Sequence, residues 1–185
     1  SVKFAFERLS ITPLVSSNSE VIKQADRVVI PGVGSAPYAM KLLKQKRLIS
    51  VLKVLKQPVL GICLGMQLLY ETLDEGGLHV EGLGLLKGKV TLLNTKKNPS
   101  PHMGWNKLSF NKSDDFLNGI KEGSYVYFVH SYAAAITNYT LAKTSYGTDF
   151  SSIVKKNNIY GCQFHPERSS KVGATILENF MKIKE

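Results

Sequence analysis

The segment Gly61-Ile62-Cys63-Leu64-Gly65 constrains this chain more than any other. It follows the apolar run Pro58-Val59-Leu60 and leads into Leu64 to Tyr70, which reads as helix. A strand that passes into a helix through a single residue turns sharply, so the residues two before and two after the apex must be small. Gly61 and Gly65 meet that demand. The apex residue then projects from the edge of the sheet, and here it is a thiol over a helix N-terminus. Orphan N–H groups and the helix dipole there favour a thiolate. The amide of Leu64 is placed to donate to a developing oxyanion. A solitary cysteine is most often a buried packing residue, but this spacing at a strand-to-helix junction points to a nucleophile.

A thiol nucleophile requires a base, and the base an orienting partner. Of the four histidines, His79, His102, His130 and His165, the last stands directly after the apolar strand candidate Ile159–Phe164 and is followed at once by a proline and a carboxylate. Sites in open α/β sheets form at the C-terminal ends of strands. In His165-Pro166-Glu167 the proline stiffens the link, so the carboxylate turns back to one ring nitrogen and leaves the other for the thiol. Cys162 lies within that strand and reads as core. A third element, Pro31-Gly32-Val33-Gly34-Ser35, follows the strand Arg27–Ile30. Its glycines open backbone geometries closed to other residues, so the loop at Val33–Gly34 is suited to present a second oxyanion donor.

The rest of the chain places these pieces in an α/β fold. Ser1–Leu9 has an amphipathic helical pattern. Ile11–Val15 reads as a short strand, and Ser19 as the cap of a helix through Ala25. Helices are expected near Tyr38–Gln45 and Leu48–Lys56, and strands at Lys89–Leu93, Tyr125–Val129, Thr140–Lys143, Ser151–Val154 and Ile159–Phe164. Val172–Lys182 closes the chain as an amphipathic helix. Early strand–helix alternation and later short strands predict a flavodoxin-like, open, mostly parallel central sheet flanked by helices, with an antiparallel extension. The chain opens on a helix where such folds open on a central strand, so an N-terminal strand is expected to be missing.

With 185 residues and 43% hydrophobic content, residues 1–185 are expected to form a single domain. No apolar run reaches the ~20 residues of a membrane span, and the first residues lack a signal-peptide pattern. The two cysteines make no disulfide framework, and no Cys/His spacing suggests zinc. A cytoplasmic protein without a metal is the expectation. The net charge of +10 raises nucleic-acid binding, yet the lysines are scattered and form no basic helix. A solvated basic surface, or an acidic or phosphorylated partner, fits better.

Pro31–Ser35, Gly61–Leu69 and His165–Glu167 together resemble the three signatures of class I glutamine amidotransferases, in the family's order and over essentially the whole chain. Pro101-His102-Met103-Gly104-Trp105-Asn106, Tyr127-Phe128-Val129-His130-Ser131-Tyr132 and the continuation Arg168-Ser169-Ser170 resemble the branch formed by the glutaminase subunits of imidazole glycerol phosphate synthases. The resemblance implies that Cys63, His165 and Glu167 form a catalytic triad that hydrolyses L-glutamine without a cofactor. Val33, Gly34 and Leu64 then serve the oxyanion. Gly32, Gln67, Glu75, Ser131 and Tyr132 hold the substrate. Met103, Trp105, Tyr127 and Arg168 face a cyclase of (βα)8-barrel type, which takes up the ammonia in a heterodimer and makes imidazole glycerol phosphate and aminoimidazole carboxamide ribotide for histidine biosynthesis. A paralogous subunit feeding another ammonia-dependent synthase is the alternative. A cysteine peptidase and a basic nucleic-acid-binding protein are more distant ones.

Overall fold

The computed structural model describes residues 1–184. Its central six-stranded sheet begins with β1 (Val28–Ile30), β2 (Val59–Ile62) and β12 (Ile159–Cys162), which run parallel, and continues antiparallel through β11 (Thr148–Lys156), β10 (Thr140–Tyr146) and β7 (Ser109–Phe110). In register, Ile30 sits beside Gly61, and Gly61 beside Gly161. The loops carrying the sequence motifs therefore leave the sheet side by side at one edge, as open α/β sheets require of a site.

β2 is buried along its whole length, which is why it reads as an uninterrupted apolar run. Its alternate side chains feed two cores. Leu60 and Ile62 join the side covered by α1 (Val2–Arg8) and α6 (Ser170–Lys182), through Ala5, Phe6, Ile176, Leu177 and Phe180. Val59 joins the side covered by α3 (Ala36–Gln45) and α4 (Ile49–Lys53), through Ala36, Met40, Val51 and Leu52. Arg27 ties the start of β1 to the end of α6, its guanidinium donating to the carbonyls of Phe180 and Ile183.

The remaining strands build a second wall around the motif edge. A four-stranded sheet runs in the order β4 (Leu78–Glu81), β3 (Tyr70–Glu75), β5 (Leu86–Leu92) and β9 (Tyr132–Ala134). A separate antiparallel pair joins β6 (His102–Lys107) to β8 (Tyr125–His130).

Several elements depart from the sequence expectation. Ile11–Val15 forms no strand. Pro13 has no N–H to give a ladder, and Leu14 and Val15 are 77% and 78% exposed. The helix after it, α2 (Ser19–Gln24), is capped by Asn18 and not by Ser19, with Asn18 Oδ1 accepting from the amides of Glu20 and Val21. The helix after Cys63 is shorter than expected. α5 spans only Leu64–Gln67, and the chain enters β3 at Tyr70. A single turn carries little macrodipole, so at this elbow the local N–H groups matter more than the helix field.

Candidate active site

Cys63 adopts φ 52° and ψ −111°, a left-handed backbone that a side chain with a Cβ rarely takes. Strain of this kind persists only where surroundings impose it, and it gathers at functional sites. The surroundings here are glycines in close approach. A Cβ on Gly65 would sit 1.8 Å from the carbonyl oxygen of Ile30, one on Gly61 2.6 Å from the Gly65 carbonyl oxygen, and one on Gly32 2.5 Å from the Gly65 amide. The elbow and the Pro31–Ser35 loop thus pack backbone against backbone. The Cys63 amide donates to the Cys162 carbonyl at 2.7 Å, which pins the apex to β12.

The segment after β12 carries His165 and Glu167 to the same place. His165 Nδ1 lies 2.8 Å from Glu167 Oε1, both side chains nearly shielded from solvent. A carboxylate only accepts, so Nδ1 carries the proton in that bond and Nε2 is left for the thiol. Burial pushes the imidazole's pKa down, but hydrogen bonds and charge interactions with Cys63 and Glu167 outweigh it and raise it to about 9. Burial acts on Glu167 in the opposite sense and is likewise outweighed, chiefly by its hydrogen bond to His165, so the carboxylate stays below its ordinary range. At neutral pH the site therefore holds an imidazolium between the Glu167 carboxylate and Cys63. Cys162, by contrast, is fully buried, and burial pushes its thiol pKa far up, as expected of a packing residue.

One cleft of about 380 Å³ gathers the candidates, a size within the range of small-ligand pockets, about 300–1,000 Å³. Cys63, His165 and Glu167 line it together with Gly32, Val33, Gly34, Leu64, Gln67, Glu75, Ser131 and Tyr132. Glu75 Oε2 accepts from the Ala36 amide at 2.8 Å, which fastens β3 to the start of α3 next to the loop. Gln67 Nε2 donates to the Tyr132 carbonyl at 2.9 Å. Gly34 takes φ 95° with open space around it, and Val33 is 88% exposed, so the loop is free of packing restraint where an oxyanion donor is wanted.

Arg168 also lines the cleft, while Met103, Trp105 and Tyr127 lie outside it on the β6–β8 pair. Met103 and Trp105 are 61% and 52% exposed. Trp105 pairs with Tyr127 across the strands, ring edge to face at 6.0 Å, and the Arg168 guanidinium sits over the Tyr127 ring at 6.0 Å. This aromatic patch is wired to the cleft. The His165 amide donates to the Tyr127 carbonyl at 2.9 Å, and the Tyr127 amide donates to Ser169 Oγ at 2.9 Å, which in turn donates to the His165 carbonyl.

Two neighbours of the thiol and one further cleft residue escaped the sequence reading. The Val129 carbonyl lies 3.8 Å from Cys63 Sγ, and Gln163 Nε2 lies 3.7 Å from it. His130 lines the cleft and donates from Nδ1 to the Tyr132 carbonyl at 2.9 Å. Behind it, His102 Nδ1 meets His130 Nε2 at 2.9 Å. Burial draws both imidazoles down to about 4, so the pair is neutral. The legible signal for His130 was its place directly after the strand candidate Tyr125–Val129. The signal for Gln163 was a lone amide in an otherwise apolar run.

A family model described as glutamine amidotransferase class-I matches residues 5–183. The chain belongs to the class I glutamine amidotransferases. The imidazole glycerol phosphate synthase subunit HisH 1 of Vibrio vulnificus strain YJ016 is 48% identical to it, the match covering 99% of this chain and 92% of that protein. The HisH subunit of Shewanella loihica is 50% identical, covering 99% and 85%. Among solved structures, a glutamine amidotransferase superposes with a TM-score of 0.74 at 16% identity, over 98% of this chain and 90% of that one. The glutaminase domain of Trypanosoma brucei CTPS with bound acivicin gives 0.66 at 15% identity, over 100% and 88%. At such identities these two speak for the fold, which is the one the sequence pattern predicted. The chain is a glutaminase of this family.

Proposed function

We propose that this chain is the glutaminase subunit of an imidazole glycerol phosphate synthase, releasing ammonia from L-glutamine for a separate cyclase subunit in histidine biosynthesis. The observation that carries the reading is the strained Cys63 in one cleft with the His165–Glu167 pair, on a chain 48% identical to a HisH subunit over nearly its whole length. The exposed Met103 and Trp105, with half-buried Tyr127 and the Arg168 guanidinium over its ring, supply the face for a (βα)8-barrel partner.

The chemistry follows from the cleft. The Cys63 thiolate attacks the δ-carbonyl carbon of glutamine, and the carbonyl π electrons move to oxygen. The Leu64 amide, with an amide from the Val33–Gly34 loop, receives that oxyanion. His165 gives its Nε2 proton to the departing nitrogen, the C–N bond breaks, and ammonia and a glutamyl thioester result. His165, now neutral, takes a proton from water as the water attacks the thioester. Collapse of the second tetrahedral adduct expels the thiolate and leaves glutamate. Gln67, Glu75, Ser131 and Tyr132 grip the amino-acid end of the substrate.

The test is reconstitution with the cyclase of the same organism. Cys63→Ala should abolish glutamate release and the glutamine-dependent synthase reaction, while the ammonia-dependent reaction survives, because the barrel's chemistry does not use the thiol. Glutamate release persisting in the variant would remove Cys63 from the mechanism.

A further inference from the structure

Gln163 is completely buried, in the run that joins β12 to His165. Fully buried amides are uncommon, and each of this one's polar atoms faces a definite neighbour. Its Oε1 lies 3.1 Å from Gln67 Nε2, and its Nε2 lies 3.7 Å from Cys63 Sγ. Its backbone amide is engaged elsewhere, donating to the Ser152 carbonyl at 2.9 Å.

The orientation of this amide is forced, starting from the Tyr132 carbonyl. A carbonyl oxygen only accepts. It already accepts from His130 Nδ1, so the Gln67 atom 2.9 Å away must be nitrogen. That nitrogen has one further N–H, and Gln163 Oε1 receives it. Turning the Gln163 amide over would set nitrogen against nitrogen at Gln67 and oxygen lone pairs against the sulfur. Gln163 therefore presents an N–H to Sγ.

We propose that Gln163 is a catalytic residue that donates a hydrogen bond to the Cys63 thiolate, and that Gln67 and the Tyr132 carbonyl are positioning groups that keep the Gln163 donor pointed at the sulfur. The two sides of the sulfur then differ in kind. The Val129 carbonyl suits the S–H form, and Gln163 suits the ionised form, adding a neutral donor to the charge of His165. A hydrogen bond to the charged form favours that form. The proposal rests on the reading of Cys63 as the nucleophile, and it identifies a donor to the resting thiolate distinct from the amides that serve the oxyanion.

The experiment uses the full chain and iodoacetamide, with the alkylation rate of the unaltered protein and of Gln163→Leu followed across pH. Cys162 is shielded, so the signal belongs to Cys63. The titratable and charged groups around the cleft are Glu75 from β3, His130 from β8, and His165, Glu167 and Arg168 after β12, with Ser1 at the rim; all are common to both proteins. Below the midpoint of the unaltered protein's profile the variant should alkylate about tenfold more slowly, the scale of one hydrogen bond to a charged group. Its profile should move to higher pH and reach the same plateau. In glutamine hydrolysis the loss should fall in kcat, with KM unchanged within about twofold. A purely structural role lowers the plateau and leaves the midpoint in place. Should Gln163→Leu fail to fold, the unaltered chain still decides: the Gln163 side-chain amide signals in a ¹⁵N NMR spectrum should titrate with the same midpoint as alkylation. Coincident profiles, or amide signals indifferent to pH while Cys63 titrates, overturn the role of Gln163 and leave the glutaminase reading intact. A Cys63 that resists iodoacetamide at every pH overturns both.

Discussion

At the scale of single residues, His165 and Glu167 divide one task unequally. In the proposed mechanism the imidazole moves protons, and the carboxylate fixes which nitrogen carries them. A general acid–base group supplies about 10²–10⁴ in rate, so His165→Ala should lose at least that much glutaminase activity. Glu167→Gln keeps a group of the same shape at 2.8 Å but gives up the negative charge, and it should lose less. The same substitution should also be visible in titration. His165 is held up to about 9, against burial, by its bonds and charge interactions with Cys63 and Glu167. Without the carboxylate's charge its ring protons should titrate at lower pH, as ¹H NMR reads directly. An unchanged ring titration, or complete and equal loss of activity in both folded variants, would show that Glu167 does something other than hold the imidazole.

At the scale of elements, the β6–β8 pair carries two buried imidazoles that link it to acid. His102 and His130 face each other in register and hydrogen-bond, with His102 stacked on Tyr146 at 4.0 Å and on Phe128 at 4.8 Å. The hydrogens run one way. The Tyr132 carbonyl takes the His130 Nδ1 proton, His130 Nε2 takes the His102 Nδ1 proton, and Asn106 Nδ2 donates to His102 Nε2 at 3.3 Å. A proton added at either acceptor nitrogen breaks a link. Both pKa values fall from 6.5 to about 4 on folding, so between those values the unfolded chain binds more protons and stability rises with pH. The thermal midpoint should therefore drop as pH falls from about 6.5 to about 4, and His102→Asn should flatten that slope. A midpoint level across this window would refute the neutral pair. This pair also marks the limit of what the sequence revealed. The apolar β2, the glycine-framed Cys63 and the His165–Glu167 turn were legible because chemistry and packing demanded the same residues there. β6 was not, because its pattern is inverted: Met103 and Trp105 point to solvent and His102 points in. β3 and β4 were hidden because Leu68 and Leu69 continue the apolar stripe of a helix that stops at Gln67. The Gly76-Gly77 turn, with φ 59° and 76°, was a hairpin signal in plain view. Gln163 was visible as a lone amide in an apolar run, but nothing in that run tells where the amide points.

At the scale of the whole molecule, the cleft and the aromatic face belong to one mechanical unit, and this bears on control. A glutaminase that fired without its synthase would waste glutamine and lose ammonia to solvent. β8 offers a physical route between the two. Half-buried Tyr127 stands beside Trp105 and Arg168, its carbonyl accepts from the His165 amide, and the Val129 carbonyl reaches Cys63 Sγ. Pressure on Tyr127 is thus felt at the base and at the nucleophile. The element best able to answer is the Pro31–Ser35 loop, where Gly34 at φ 95° has open space on the side a Cβ would occupy and Val33 is almost bare. The peptide between them has room to rotate, so one of the oxyanion donors can be absent at rest and present in the complex. A missing donor costs about 10²–10³ in kcat, enough to silence the isolated chain. The charge of +10 would favour docking to an acidic partner face and make association faster at low salt. The expected outcome is a low glutaminase rate for the chain alone, a higher one with the cyclase, and the highest with cyclase and its nucleotide substrate, measured at steady state. Tyr127→Ala should blunt the rise and leave the ammonia-dependent reaction of the partner unaffected. Three rates equal within about twofold would mean that the loop is a fixed oxyanion hole and that β8 transmits nothing.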